Sequence, residues 1–230
     1  QSKQQMANFG EQKRKNKSAC NDQMAGKEFF KQALNHHMRG DLSNAEKVYR
    51  QALQIGYLNG DLLSNLGVIC QQGGRTEEAI HLYQKAIDIN PHHLDAYTNL
   101  GSIYKTIGSF EQALTYTLKS LELKPDNPTA HMNLARIYKD LDQLDHALAS
   151  TLKSLELKPD NPDAHLNLGW IYEKLGQLDQ ALASTLKSLE LKPDNPTAHM
   201  NLGGIYQDLG QLDQALASTL KSLELKSDNP

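Results

Sequence analysis

The sequence predicts an all-α fold, an α-α superhelix of six stacked helical hairpins, and three observations predict it. The phrase QLDQALASTLKSLELK occurs at Gln177 and again at Gln211, with a near copy from Gln143, so equivalent residues return every 34 positions. Within each period the apolar residues recur at helical spacing, as in Leu168, Ile171, Tyr172 and Leu175, then Leu178, Ala181, Leu182, Leu186 and Leu189. Aromatic residues make up only 6% of the 230-residue chain, which is rich in Ala and Leu. That composition suits helices that each touch only their neighbours better than it suits one central core.

Sliding the 34-residue frame along the chain gives six contiguous units without insertion: 26–59, 60–93, 94–127, 128–161, 162–195 and 196–229. The first two have diverged most. Each unit holds two amphipathic helices. Between them stands Gly40, Gly74, Gly108, Gly176 or Gly210, the residue that most readily takes the left-handed conformation closing a helix. In the fourth unit Asp142 replaces it, and a slightly costlier turn is expected there. The units are separated by KPDNP, beginning at Lys124, Lys158 and Lys192, whose first Pro cannot continue the helix before it. Asn127, Asn161 and Asn195 are then expected to cap the next helix, with Pro128, Pro162 and Pro196 at its first position, where a missing N–H costs nothing.

Small residues account for the close approach of the paired helices. Gly101, Ala135, Gly169 and Gly203 share one position in the first helix, and Ala113, Ala147, Ala181 and Ala215 one in the second. Together with Leu-Gly or Leu-Ala in the first helix, Tyr104, Tyr138, Tyr172 and Tyr206 shortly after it, and the closing Pro, this pattern resembles the tetratricopeptide repeat family over residues 26–229. The resemblance implies a right-handed solenoid whose first helices line a concave groove. It also implies a protein-interaction scaffold with no catalytic apparatus. The chain departs from the family at two places. The bulky aromatic of the second helix, present as Tyr49 and Tyr83, becomes Thr117, Thr151, Thr185 and Thr219, and the Ala one turn later becomes Ser120, Ser154, Ser188 and Ser222. Weaker packing per repeat is therefore expected in the last four units. Gln32, where the other units have Leu, fits a terminal capping repeat.

Residues 1–25 are polar and lack a helical period, so they are expected to form a flexible tail, and Gln1 to Gln5 read as non-native residues added ahead of a native start at Met6. The basic cluster of Lys13, Arg14, Lys15 and Lys17 lacks interleaved aromatics and reads as solvated, not as a nucleic-acid or membrane contact. At the other end Pro230 would open a seventh unit, which points to a piece of a longer protein. The formal charge of −3 provides no whole-molecule field for nucleic acid or anionic lipid. No apolar run approaches the roughly 18 residues needed to span a bilayer. Cys20 and Cys70 lie in such different contexts that a disulfide is not expected. A reducing, cytoplasmic location follows as the expectation.

The resemblance places positions two, five, nine and twelve of each first helix on the groove. In the third to fifth units these include Ser102 and Lys105, Arg136 and Lys139, and Trp170 and Glu173. Arg beside Trp is a common binding hot spot, and neighbouring Lys residues favour an acidic peptide; ordinary surface variation is the competing reading. Asn65, Asn99, Asn133, Asn167 and Asn201 recur as one amide per repeat. An amide both donates and accepts, so it can pair with the backbone of an extended peptide, as in the Asn ladder of the superhelical repeats of protein O-GlcNAc transferases. Equally, each Asn can bond an adjacent helix and fix repeat geometry.

His131, His165 and His199 align too, but no Cys or carboxylate recurs beside them, so they are expected to pack between helices and not to bind metal. Ser150 with Lys153, Ser184 with Lys187 and Ser218 with Lys221 match the Ser-x-x-Lys spacing of some acyl enzymes, yet a nucleophile is needed once and these recur in successive repeats. No cofactor motif appears. The expected function is a scaffold binding a peptide segment of a partner protein. The alternatives are a substrate-recognition arm of a sulfotransferase- or glycosyltransferase-type enzyme, and self-stacking through an uncapped last repeat.

Overall fold

A computed structural model describes residues 21–227, and the expectations for Gln1 to Cys20, including the basic cluster and Cys20 itself, lie outside the described residues. Every element among the described residues is a helix. Residues 21–38 form α1, followed by α2 (Leu42–Gln54), α3 (Gly60–Gln72), α4 (Thr76–Ile89), α5 (Leu94–Thr106), α6 (Phe110–Leu123), α7 (Pro128–Asp140), α8 (Leu144–Leu157), α9 (Pro162–Lys174), α10 (Leu178–Leu191), α11 (Pro196–Asp208) and α12 (Leu212–Ser227). Residues 21–25, expected in the tail, are helical. Extending a helix whose next turns are packed costs little, because the nucleus is already formed. The chain divides into two compact units, Gln1–Asn99 and Leu100–Pro230.

The local signals act as expected. Gly40, Gly74, Gly108, Gly176 and Gly210 have φ between 71° and 77°, and Asp142 takes the same left-handed turn at φ 57°. The side chains of Asn127, Asn161 and Asn195 each accept hydrogen bonds from two backbone N–H groups of the following helix, with Pro at its start. α6, α8 and α10 stop at Leu123, Leu157 and Leu191, immediately before KPDNP. α12 runs on to Ser227, because Ser stands there in place of the Pro that ends its counterparts.

In the first unit α3 packs on α4 and on α2. Tyr49, Tyr83, Leu62, Leu63 and Leu66 are fully buried. A Cβ on Gly67 would come within 2.8 Å of the Tyr83 ring, so only Gly lets α3 and α4 approach around that aromatic. An ion-pair network ties the unit: Arg50 Nη2 lies 2.7 Å from both Glu46 and Glu78, and Arg75 Nη2 lies 2.8 Å from Glu46. Cys70 is buried beside it as a free thiol, and burial pushes its pKa up.

In the second unit the hairpins are α7 with α8, α9 with α10, and α11 with α12. Each first helix also packs on the second helix of the preceding repeat, and α9 touches both α7 and α11, which sets these three first helices side by side. Thr117, Thr151 and Thr185 are fully buried where the first unit has Tyr. Ser154, Ser188 and Ser222 donate to the carbonyls of Pro128, Pro162 and Pro196 at 2.9, 2.8 and 2.7 Å. Each of these Ser residues thus ties the second helix to the start of the first. On α12 Leu212, Leu216, Leu220 and Leu223 are 68%, 61%, 56% and 53% exposed. No helix among the described residues is long and apolar enough to cross a membrane.

Candidate functional site

The side-by-side first helices of the second unit form a cleft of about 240 Å³. Its walls carry Arg136 and Lys139 from α7, Asp163, Asn167 and Trp170 from α9, and Asn201 from α11, over a floor that includes Met132 and Leu166. The stripe of positions two, five, nine and twelve accounts for all but the two Asn residues. Asp163 and Thr197 hold position two, Met132 and Leu166 position five. Their membership was legible in the repeat frame and needed only that the stripe be followed to its earlier positions.

The Lys139 ammonium lies 4.7 Å from the centroid of the Trp170 ring, and that of Lys174 lies 5.7 Å away. A cation over an indole is attracted to the negative face of the ring. Burial of Lys139 pulls its pKa below the usual lysine range; Asp140 opposes this, and the charges of Lys105 and Arg136 add to it. The amine is therefore a partly desolvated cation short of counter-charge, and an incoming carboxylate would be held more strongly than at an open surface. Arg136 is 3.6 Å from Asp163, but both side chains are largely exposed, so that pair exchanges readily with another anion. The cleft walls thus carry two cations against one carboxylate.

Not all the expected groove residues come together. Lys105 pairs with Asp140 at 3.4 Å and bears on the cleft only through its charge on Lys139. Glu173 is largely buried, lies 3.4 Å from Lys174 and does not line the cleft. Asn133 sits half-buried on α7, and Asn65 and Asn99 belong to the first unit. The repeated Asn residues are used structurally at two rungs. Asn65 hydrogen-bonds the hydroxyl of Tyr49, and Asn167 Nδ2 donates to Thr151 Oγ1 at 2.9 Å, in both cases reaching the second helix of the preceding repeat.

The other sequence signals resolve into structure. His131, His165 and His199 do not simply fill space between helices. Their Nε2 atoms lie 2.8, 2.8 and 2.9 Å from the carbonyls of Pro125, Pro159 and Pro193 and clasp the KPDNP turns. A carbonyl only accepts, so each Nε2 carries the proton. Among the described residues no group of three His, Cys, Asp or Glu side chains is placed to hold a metal ion. The Ser-x-x-Lys pairs are split. Ser150, Ser184 and Ser218 are buried, while Lys153, Lys187 and Lys221 face outward and pair with Glu156, Glu190 and Glu224 at 2.8, 2.8 and 3.1 Å.

Known sequences and structures align with this hairpin array. Tetratricopeptide repeat profiles match residues 58–126, 128–161, 151–183 and 196–229, and a TPR repeat profile matches 171–210. The chain belongs to the tetratricopeptide repeat family. As an all-α tetratricopeptide superhelix it shares its fold with solved structures of MamA. One is 24% identical over 71% of this chain and 95% of that one, with a TM-score of 0.62. A MamA structure from Desulfovibrio magneticus RS-1 is 21% identical over 74% of this chain and 96% of that one, with a TM-score of 0.66. YrrB, described as a TPR protein with an unusual peptide-binding site, is 22% identical over 79% of this tetratricopeptide chain and 93% of its own, with a TM-score of 0.62. No curated protein matches the sequence. Membership in the tetratricopeptide repeat family makes the chain a protein-interaction scaffold.

Proposed function

We propose that the second unit binds an extended acidic segment of a partner protein in the cleft lined by α7, α9 and α11. The observation that carries this reading is the pairing of Arg136 and Lys139 around Trp170, the single Trp of the chain. Two cations, one of them partly desolvated, attract a carboxylate. The indole supplies a rigid apolar face beside it, and Asn167 and Asn201 supply hydrogen bonds to a peptide backbone. The peptide-binding site of YrrB, a protein of similar fold, is in keeping with such a role.

The test is fluorescence anisotropy with a labelled, end-blocked peptide of alternating Glu and Gly. Replacing Trp170 and Arg136 together by Ala is expected to weaken binding by more than about 2 kcal/mol, roughly 30-fold, with helicity by circular dichroism unchanged. Equal binding by wild type and double variant removes the proposal. A matching Lys-Gly peptide is expected to bind no better than background, and its binding as well as the acidic probe would refute the charge assignment.

A further inference from the structure

The Asn rungs of the second unit are not equivalent, and the difference traces to one residue behind each. Thr151 Oγ1 donates its single hydrogen to the Ala147 carbonyl at 2.7 Å. With that proton committed, the same oxygen can only accept, so the arm of Asn167 that meets it at 2.9 Å must be the NH2 group. Turning the amide over would set Oδ1 against the Thr151 lone pairs and leave two buried acceptors facing each other. The Asn167 carbonyl is therefore the arm left to the cleft that this residue lines.

At the neighbouring rungs the lock is missing. The hydroxyls of Thr117 and Thr185, which stand behind Asn133 and Asn201 as Thr151 stands behind Asn167, are buried and have no hydrogen-bond partner. A Cβ on Gly101 or Gly169 would fall on the Oγ1 of Thr117 or Thr185, so in those repeats the hydroxyl occupies space that the glycine leaves open. In the fourth repeat Ala135 fills that space with its own methyl, and the Thr151 hydroxyl turns to Ala147. Thr219 faces Gly203 and still bonds the Ala215 carbonyl, so glycine permits either arrangement whereas alanine enforces one.

We infer that Thr151, held by Ala135, is a positioning residue that fixes Asn167 with its carbonyl toward the cleft, so that this rung accepts a backbone N–H of the bound segment. Asn133 and Asn201 remain free to present either arm. The inference rests on the groove reading for its ligand and narrows it: the segment must offer an N–H beside the acidic residue that faces Arg136 and Lys139, and proline is excluded at that register.

The lock is tested in the free 230-residue chain by side-chain amide NMR. The Asn167 NH2 protons are expected to exchange with water at least about tenfold more slowly than those of Asn201, as befits a buried donor in a made hydrogen bond. Thr151→Val keeps the side-chain shape and is expected to abolish the protection, and Thr151→Ser to restore it. Gly169→Ala, which copies Ala135 one repeat on, is expected to confer the same protection on Asn201. Equal exchange at Asn167 in wild type and Thr151→Val overturns the lock.

The ligand half uses the Glu-Gly probe and its counterpart N-methylated at each Glu. Wild type is expected to prefer the unmethylated peptide by about tenfold, the loss of one hydrogen bond to an oriented acceptor. Thr151→Val is expected to narrow that ratio and Thr151→Ser to keep it. A ratio unmoved by Thr151→Val overturns the polarity assignment. Failure of the wild type to bind either peptide defeats the groove reading and the ligand half with it, while the exchange measurement still decides the lock.

Discussion

Exchanging Asp142 for Gly should stabilise the chain, and the size of the gain follows from the α7–α8 turn. Asp142 has φ 57°, whereas the equivalent residue of the other repeats is Gly, at φ between 71° and 77°. A left-handed L-residue costs roughly 1–2 kcal/mol, with Asp at the low end because its short polar side chain tolerates this region. Its carboxylate also sits just past the C-terminus of α7, where a negative charge opposes the helix dipole by about 0.3 kcal/mol. Against these gains, Gly adds unfolded-chain freedom worth about 0.4–1 kcal/mol. The difference leaves a stabilisation of about 0.3–0.9 kcal/mol. The backbone N–H of residue 142 keeps its bond to the Lys139 carbonyl in either variant.

Urea unfolding followed by circular dichroism measures this. With a slope of about 2–3 kcal/mol/M the midpoint should rise by roughly 0.1–0.4 M at constant slope. Gly176→Asp, the reciprocal change one repeat later, should lower it by a similar amount. Asp142→Asn should recover only the dipole part, since Asn keeps the left-handed cost and drops the charge. A midpoint for Asp142→Gly that is unchanged or lower, with the slope unaltered, would refute the assignment of strain to this turn.

Ser188→Ala should cost about 0.5–1.5 kcal/mol by loss of its bond to the Pro162 carbonyl, measurable as a lower urea midpoint; no loss would mean that Ser is a passive stand-in for the family's Ala. In the first unit the Arg75 hydrogen bond holds the Glu46 carboxyl below the usual glutamate range, and Arg50 does the same for Glu78. Because the folded-state values are depressed, their stabilisation is present at neutral pH and is lost as pH falls below about 4.3 through those values. Glu46→Gln should therefore lower the melting temperature at pH 7, with the gap to wild type narrowing as pH falls below about 4.3, and a pH-independent difference would contradict the electrostatic origin. Lys139 titrates beside the single Trp, so Trp170 emission should show a step at a pH below that of an ordinary lysine, and Lys139→Met should remove it. Persistence of the same step in Lys139→Met would assign it elsewhere.

Repetition made most of the fold legible. The 34-residue period, the Gly turns, the Asn-Pro starts and the Pro stops are short-range devices whose meaning is contained in a few adjacent residues, and each acts as its residue type dictates. The groove stripe was equally legible, because position in a regular helix fixes the face a side chain takes. Arg136, Lys139 and Trp170 accordingly line one cleft. Glu173 and Lys105 keep the spacing but are claimed by Lys174 and Asp140, and no period reports which neighbour a charged side chain will find.

By itself the sequence determined the helices, their ends, the order of the hairpins and the choice of Asn for each rung. Only the tertiary structure decided what each rung does, because Asn167 is held by Thr151 and Thr151 is turned by Ala135, and these three residues lie in three different helices. The same holds for the serines tied to the proline carbonyls and the histidines clasping the turns. Hydrogen-bond direction depends on where a donor's one proton is already committed, and that is settled by packing at short range in space between residues distant along the chain.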